Sequence, residues 1–196
     1  MKALLLLESG QRYQGEGAGA EGSVTGEAVF YTGMTGYEEA LTDPSYNAQI
    51  LVFTYPLIGN YGISRAAMQH GSTCAAGAVI KRLSRHPSHH QCKLDLDTWM
   101  KEQGMPAIVG IDTRALTMHL REHGTMKAVL AVGDAAIAGA EEELRAYCAA
   151  PAANLVAPVS IRAPMQRGTR GARKRLVLID CGLKEGILQA LAELDV

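Results

Sequence analysis

The chain has 196 residues, of which 47% are hydrophobic and 20% are charged. This composition is typical of globular proteins and argues against a disordered or fibrous chain. Because 19 Lys and Arg residues stand against 20 Asp and Glu residues, net charge gives no reason to expect a nucleic acid or a membrane as partner. No apolar run approaches the roughly 20 residues that a membrane-spanning helix needs, and the run at residues 4–7 is too short for a signal peptide. We therefore expect a soluble, cytoplasmic protein.

The four cysteines are far apart in the sequence and form no C-x-x-C pair; they are Cys74, Cys92, Cys148 and Cys181. This spacing does not indicate a zinc site, and disulfides are rare in cytoplasmic proteins of this size. We expect four reduced thiols.

The first third of the chain has the pattern of short strands joined by tight, glycine-rich turns. Strands are predicted over residues 3–7, 11–14, 24–31, 49–54 and 75–80, with the first two forming a hairpin.

Helical patterns appear later in the chain, each beginning at a polar residue that can act as N-cap. The predicted helices start at Asp97 or Thr98, at Asp112 or Thr113, and at Asp134. Strands over residues 107–111 and 126–132 separate them. The mixture predicts an α/β or β-rich α+β domain.

The C-terminal part divides into a linker and the beginning of a second unit. Residues 158–174 are basic, with Pro and Gly and little to bury, which is typical of an exposed linker. An apolar strand at residues 176–179, a turn at Asp180 and an amphipathic helix over residues 184–193 would then open a parallel α/β unit. We expect three parts, at residues 1–157, 158–174 and 175–196. Because one parallel strand cannot complete a sheet, self-association through that strand is also expected.

Three local patterns suggest other functions. The string from Gly17 to Gly22 fits G-x-G-x-x-G, and a stand-alone nucleotide-binding α/β protein is the alternative it leaves open. That motif requires a helix directly after the glycines, whereas the residues that follow are typical of a strand. The cluster His86, His89, His90 and Cys92 lacks a carboxylate or second cysteine pair to complete a metal site. The basic run at residues 162–175 lacks the aromatic residues that stack on nucleic-acid bases.

Two further strings place polar side chains beside the strand at residues 49–54. They are M-T-G-Y-E-E at residues 34–39 and T-D-P-S-Y at residues 42–46. In the second string the aspartate can open a turn in which the proline fixes φ, while the serine and tyrosine offer hydroxyl groups. By composition alone this string is a structural turn.

A longer pattern around these strings resembles a known family. The string F-Y-T-G-M-T-G-Y-E-E-A-L-T-D-P-S-Y at residues 30–46 is similar to the signature of the small, glutamine-hydrolysing subunit of carbamoyl phosphate synthase. Three strings that follow in the same order resemble it too: T-Y-P-L-I-G-N-Y-G at 54–62, G-I-D-T-R-A-L-T-x-x-L-R at 110–121 and I-D-C-G-L-K at 179–184. The resemblance extends over essentially the whole chain.

The resemblance implies an α/β protein with a layered β/β/α N-terminal domain that packs on the large synthetase subunit, followed by a class I glutamine amidotransferase domain. That second domain splits glutamine with a Cys-His-Glu triad, and the ammonia passes to the large subunit. There, bicarbonate, ATP and a divalent metal yield carbamoyl phosphate for pyrimidine or arginine biosynthesis. We expect no cofactor or metal in this chain, and no nucleic-acid or membrane partner.

This sequence departs from the full pattern after residue 182. It contains no G-x-C-x-G turn, no histidine follows His123, and Lys184-Glu185-Gly186-Ile187 replaces the family's basic-x-Asn-Ile. We therefore expect only the first strand and helix of a truncated amidotransferase domain, with no catalytic residue and no activity by itself. One binding residue of the family has a counterpart in this sequence: the resemblance implies that Ser45 hydrogen-bonds glutamine bound at the domain junction.

Overall fold

The computed structural model describes residues 1–168 and 174–194. Its strands are β1 (Lys2–Leu7), β2 (Arg12–Gly19), β3 (Gly22–Tyr31), β4 (Gln49–Phe53), β5 (Leu57–Ile58), β6 (Gly77–Ile80), β7 (Arg82–Leu83), β8 (Pro106–Val109) and β9 (Met126–Val132). Its helices are α1 (Tyr37–Thr42), α2 (Leu96–Glu102), α3 (Thr113–His123), α4 (Asp134–Ala149) and α5 (Glu185–Ala192). Short 3₁₀ helices cover Pro44–Tyr46 and Ala157–Val159.

Seven of the strands close into a barrel in the order β1-β2-β8-β6-β4-β3-β9. The pairs β3–β4, β4–β6 and β6–β8 are parallel, whereas the other four pairs are antiparallel. Strands β5 and β7 form a separate two-stranded parallel pair. Closure leaves no free edge in the barrel sheet, so its backbone donors and acceptors are satisfied internally.

Strands β1, β4, β6 and β9 are buried on both faces, whereas β2 and β3 are exposed or half-buried along much of their length. In β1, Leu5 and Leu7 belong to a cluster with Ile50, Val52 and other residues from several strands around the barrel. Leu4 and Leu6, on the opposite face of β1, pack against Ala140 and Leu144 of α4. This pattern follows from the two-residue period of a strand. Because both faces of β1 are buried, its sequence is a continuous apolar run.

Helices α1 and α2 cover a different part of the barrel. Leu41 of α1 and Trp99 of α2 lie in one cluster with Leu51 and Phe53, the outward-facing residues of β4. Helix α3 instead contributes Leu116 and Leu120 to the cluster of the barrel interior. The mixed α/β class is thus confirmed.

Most predicted elements are present, with shifted boundaries. The strands predicted at residues 24–31, 49–54, 107–111 and 126–132 correspond to β3, β4, β8 and β9. For α2 the predicted cap is wrong: Asp95, not Asp97 or Thr98, accepts the Thr98 N–H at 2.9 Å. Asp112 caps α3 as predicted, whereas Asp134 is the first residue of α4 and Gly133 precedes it.

The C-terminal part differs from the prediction in one element. Residues 174–180 form no strand, although α5 is present close to its predicted range. The apolar side chains of this segment are exposed: Val177 is 88% and Ile179 87% accessible. A strand forms only against a partner strand, and the barrel has no free edge to offer. Arg170 and Arg173, which belong to the predicted linker, lie outside the described residues, and so does Val196 at the end of the predicted third part.

Helix α1 is an element that the sequence patterns did not predict. It holds Glu38, whose side chain is 1% exposed. The Glu38 carboxylate accepts hydrogen bonds from the Ser64 N–H and hydroxyl, at 3.0 and 3.1 Å, and from the Arg65 N–H. Arg65 has a φ of +67°, a left-handed conformation that costs a non-glycine residue about 1–2 kcal/mol. The buried carboxylate thus holds a strained loop against α1.

Within the described residues, we find no helix that combines the length and the apolar character needed to cross a membrane.

Replacement of Glu38 by Gln is expected to lower the free energy of unfolding by about 2–3 kcal/mol. The amide presents only one acceptor oxygen and no charge to donors that a carboxylate binds strongly. Urea unfolding followed by the fluorescence of Trp99, the only tryptophan, measures the change. Glu39→Gln is the matched control and should stay within about 0.5 kcal/mol of the parent. Equal midpoints for the two variants would contradict this role of Glu38.

Candidate functional site

The D-P-S-Y turn connects α1 to β4 through the 3₁₀ helix Pro44–Tyr46. Asp43 caps this helix, because its Oδ1 accepts the backbone N–H of Ser45 at 2.9 Å. The Ser45 residue is exposed, whereas Asp43 and Pro44 are buried. The turn therefore presents the Ser45 side chain to solvent on a backbone that the Asp43 cap holds in place, while Tyr46 is half-buried.

A second contact joins Asp43 to the C-terminal segment. Its Oδ2 forms an ion pair with Lys184 Nζ at 2.6 Å, and the Asp43 side chain is only 12% exposed. The pair is therefore partly shielded from solvent, where an ion pair is worth more than on an open surface. Sequence patterns placed both residues in family strings without indicating that they meet.

Aromatic side chains fix the loop beside the turn. Tyr61 stacks on Tyr37 with ring centroids 4.1 Å apart, and the Tyr61 hydroxyl accepts the Gly36 N–H at 2.7 Å. Tyr37 donates to the Gly62 carbonyl at 2.7 Å. Burial raises the pKa of Tyr37 above its usual value, and the neighbouring Tyr61 adds to the effect. The strings at residues 30–46 and 54–62 thus meet at this tyrosine pair.

The turn at Asp180 lies close to the D-P-S-Y turn. Asp180 Oδ1 accepts the N–H groups of Gly182 and Leu183 at 2.8 and 2.7 Å, and Oδ2 accepts that of Ile161. Burial by itself would raise the pKa of Asp180, but these hydrogen bonds outweigh it and hold the pKa below its usual range. Gly182 has a φ of +102°, and a Cβ there would lie 3.2 Å from Pro44 Cβ. A glycine is needed both for the backbone conformation and for the close approach.

Two cysteines lie near this region without forming a nucleophilic site. Burial raises the pKa of the Cys74 thiol to about 11, with a smaller contribution from the Asp43 charge. Cys74 is therefore a protonated thiol at neutral pH. Cys181, in the Asp180 turn, is exposed.

The Gly17–Gly22 string covers the end of β2, the two connecting residues 20 and 21, and the first residue of β3. These two strands are not neighbours in the barrel, so the connection is not the hairpin that the glycines suggested. Gly19 and Gly22 have φ values of +68° and +134°, and the chain continues into a strand. No helix N-terminus follows the glycines to bind a phosphate. The glycines thus connect two strands at separate places in the barrel, and the geometry does not favour the nucleotide-binding alternative.

The histidine cluster forms no metal site in the part of the chain that the structure describes, and the described part of the basic run contributes to an ion pair. Among residues 1–168 and 174–194, no group of three or more His, Cys, Asp or Glu side chains is arranged to hold a metal ion. The rings of His89 and His90 instead pack against each other in a tilted arrangement, with centroids 4.4 Å apart. In the basic run, Arg167 pairs with Glu185 at 2.7 Å.

Comparison with known proteins identifies relatives over nearly the whole chain. The family model described as carbamoyl-phosphate synthase small chain, CPSase domain, matches residues 5–130. The carbamoyl phosphate synthase small chain of Streptococcus pyogenes serotype M3 is 46% identical over 192 residues, which cover 98% of this chain and 52% of the relative. The protein of the same name from Methanosarcina mazei is 42% identical, with 97% of this chain and 54% of the relative covered.

The chain thus spans about half the length of the curated relatives it matches. Among solved structures, a peptidase M28 precursor from Shewanella amazonensis aligns over 67% of this chain and 34% of its own, at 10% identity and a TM-score of 0.39. That score is too low to support any argument about the fold. The family match and the identity to the small chains agree: this chain belongs to the carbamoyl phosphate synthase small chain family.

Proposed function

We propose that the chain is the part of a carbamoyl phosphate synthase small subunit that supports glutamine hydrolysis and docks on the large subunit. The whole enzyme hydrolyses glutamine and passes ammonia to the large subunit, which makes carbamoyl phosphate from bicarbonate and ATP. Beyond membership of the family, one observation carries this proposal: the Asp43–Lys184 ion pair joins the D-P-S-Y turn to the segment where the amidotransferase domain would begin.

The proposed role of residues 1–157 is structural. A closed barrel with α1, α2 and α4 packed on its outer face gives a rigid base for the turn. We propose that its layers correspond to the β/β/α arrangement of the family and that its partner is the large synthetase subunit. ATP and the divalent metal would then belong to that subunit, in a cytoplasmic enzyme.

Ser45 is the proposed glutamine-binding residue. Its exposed position and the fixed backbone around it support the proposal, because a pre-oriented hydroxyl loses little conformational freedom on binding. Asp43 would act through the turn, and would not itself contact glutamine.

Ser45→Ala, introduced into a full-length small chain that contains this sequence and is assembled with its large subunit, tests the proposal. The loss of one hydrogen bond of about 1–1.5 kcal/mol should raise the KM for glutamine about five- to tenfold. Carbamoyl phosphate synthesis from free ammonia should be unchanged, because it bypasses the glutamine site. Ser72→Ala, also at an exposed serine, is the control, and glutamine kinetics that are the same in both variants would refute the role of Ser45.

The 196-residue chain is proposed to be inactive by itself. Its sequence has no G-x-C-x-G turn and no histidine after His123, and thioester chemistry needs an activated thiolate with its base. The purified chain, incubated with glutamine, should release ammonia no faster than a blank without protein. Sustained release above that blank would show that a different group hydrolyses glutamine.

We also propose that the chain self-associates through residues 176–179. These apolar residues are exposed and unpaired with any described strand, and such a segment can pair with a copy of itself.

Light scattering after size-exclusion chromatography should show oligomers of the parent chain that dissociate in the variant Val177→Lys/Ile179→Lys. Charges at two positions of the segment oppose strand pairing and leave the barrel unchanged. Met34→Lys, at an exposed apolar residue elsewhere, should leave the oligomers intact. A monomeric parent, or equal dissociation in both variants, would argue against pairing through this segment.

A further inference from the structure

Helix α5 begins without a capping side chain of its own. Lys184 occupies the N-cap position, and its side chain forms no capping hydrogen bond. The first N–H groups of a helix have no partner within the helix and must be satisfied from elsewhere. Lys184 is also a poor N-cap residue, since the favoured caps are Ser, Thr, Asp and Asn.

The missing partners come from a residue more than a hundred positions earlier. The Gln69 carbonyl accepts the Glu185 N–H at 3.0 Å, and Gln69 Oε1 accepts the Gly186 N–H at 3.1 Å. One residue of the barrel part thus satisfies the first two donors of α5.

Gln69 is itself held by α1. Its backbone N–H donates to Thr42 Oγ1 at 2.9 Å, and the Thr42 hydroxyl donates to the Glu38 carbonyl at 2.8 Å. Thr42 is fully buried and directly precedes Asp43. The Gln69 amide also donates to the Ala67 carbonyl at 3.1 Å, which orients Oε1 as the acceptor.

The fit between Gln69 and Gly186 is close. A Cβ added to Gly186 would lie 3.1 Å from Gln69 Oε1 and 3.8 Å from Gln69 Cδ and Nε2. A Cβ at position 186 would therefore crowd the Gln69 amide, which would have to shift by a few tenths of an ångström.

We propose that Gln69 is a positioning residue that caps α5 from the barrel part and so fixes the start of the C-terminal segment against the D-P-S-Y turn. Adjacent residues make parallel contacts: Thr42 holds α5 through Gln69, and Asp43 holds Lys184 directly. Three consecutive residues, Lys184 to Gly186, are bound in this way. The effect of this arrangement on glutamine binding rests on the proposed function, whereas the cap itself does not.

Residue-resolved amide exchange of the 196-residue chain tests the cap. In Gln69→Ala the Gly186 amide should exchange about five- to tenfold faster, as expected for the loss of an N-cap. The Glu185 amide should change less, because the carbonyl at position 69 remains. Gln69→Glu should restore the protection of Gly186, since a carboxylate keeps the acceptor and favours a helix N-terminus. Gln91→Ala, at an exposed glutamine, should leave Gly186 as in the parent.

A double-mutant cycle with Gly186→Ala separates the cap from a general loss of structure. In the Gln69→Ala background, alanine at position 186 should slow amide exchange in α5, because it favours a helix more than glycine does. In the parent background the gain should be smaller, since the added Cβ crowds the Gln69 amide and weakens its hydrogen bond to the N–H of residue 186. Each of three results would overturn the proposal. They are an unchanged exchange rate of the Gly186 amide in Gln69→Ala, no restored protection in Gln69→Glu, and additive effects of the two substitutions in the cycle.

Glutamine kinetics of the full-length small chain, assembled with its large subunit, then test the consequence. Gln69→Ala should raise the KM for glutamine and leave synthesis from ammonia unchanged, with rescue by Gln69→Glu. If the Gly186 amide of Gln69→Ala exchanges faster but its glutamine kinetics equal those of the parent, the cap is confirmed and its coupling to the glutamine site is refuted. Because Ser45→Ala tests the glutamine site separately, failure of the cap and failure of the proposed function give different results.

Discussion

The arrangement of the candidate site depends on one buried carboxylate. Glu38 accepts three hydrogen bonds from Ser64 and Arg65, and these bind the loop after residue 61 to α1. The same loop carries Gln69, through which the first turn of α5 contacts the barrel part. A charge is costly to bury unless hydrogen bonds compensate it. Here the compensation comes from two backbone N–H groups and the Ser64 hydroxyl of the loop, so the loop and the helix stabilise each other.

The barrel gives this arrangement a rigid base. Strand β4, which follows the D-P-S-Y turn, is buried on both faces, with Ile50 directed to the interior cluster and Leu51 to the cluster under α1 and α2. Close packing on two sides leaves the strand little freedom to move. The turn therefore combines a fixed start, at α1, with a fixed end, at β4. An exposed residue between them has a defined backbone position, which suits a residue that is to contact a ligand.

Local patterns predicted the parts of this structure that local forces determine. The β-branched run of β4, the alternation in β3 and the Asp112 cap of α3 are all readable from neighbouring residues. Helix α1 was missed because six residues give no helical period, and its buried Glu38 looks like a surface residue in sequence. The strand predicted at residues 176–179 was wrong because a strand needs a partner. The contacts of Gln69 with α5 join residues that are distant in the sequence, and no local pattern reports them. The family strings located the Ser45 turn but gave no indication that Asp43 and Lys184 meet.

The pairing of β1 with β9 has a consequence for the order of folding. The first strand of the chain closes the barrel against residues 128–132, so the ends of the barrel sequence must find each other before the sheet is complete. Contacts of such long sequence separation are slow to form. During synthesis, however, all the barrel strands emerge before the segment around Lys184. The surface that receives this segment can therefore be complete when the segment appears, and the barrel can act as a template on which the following part of the chain is placed.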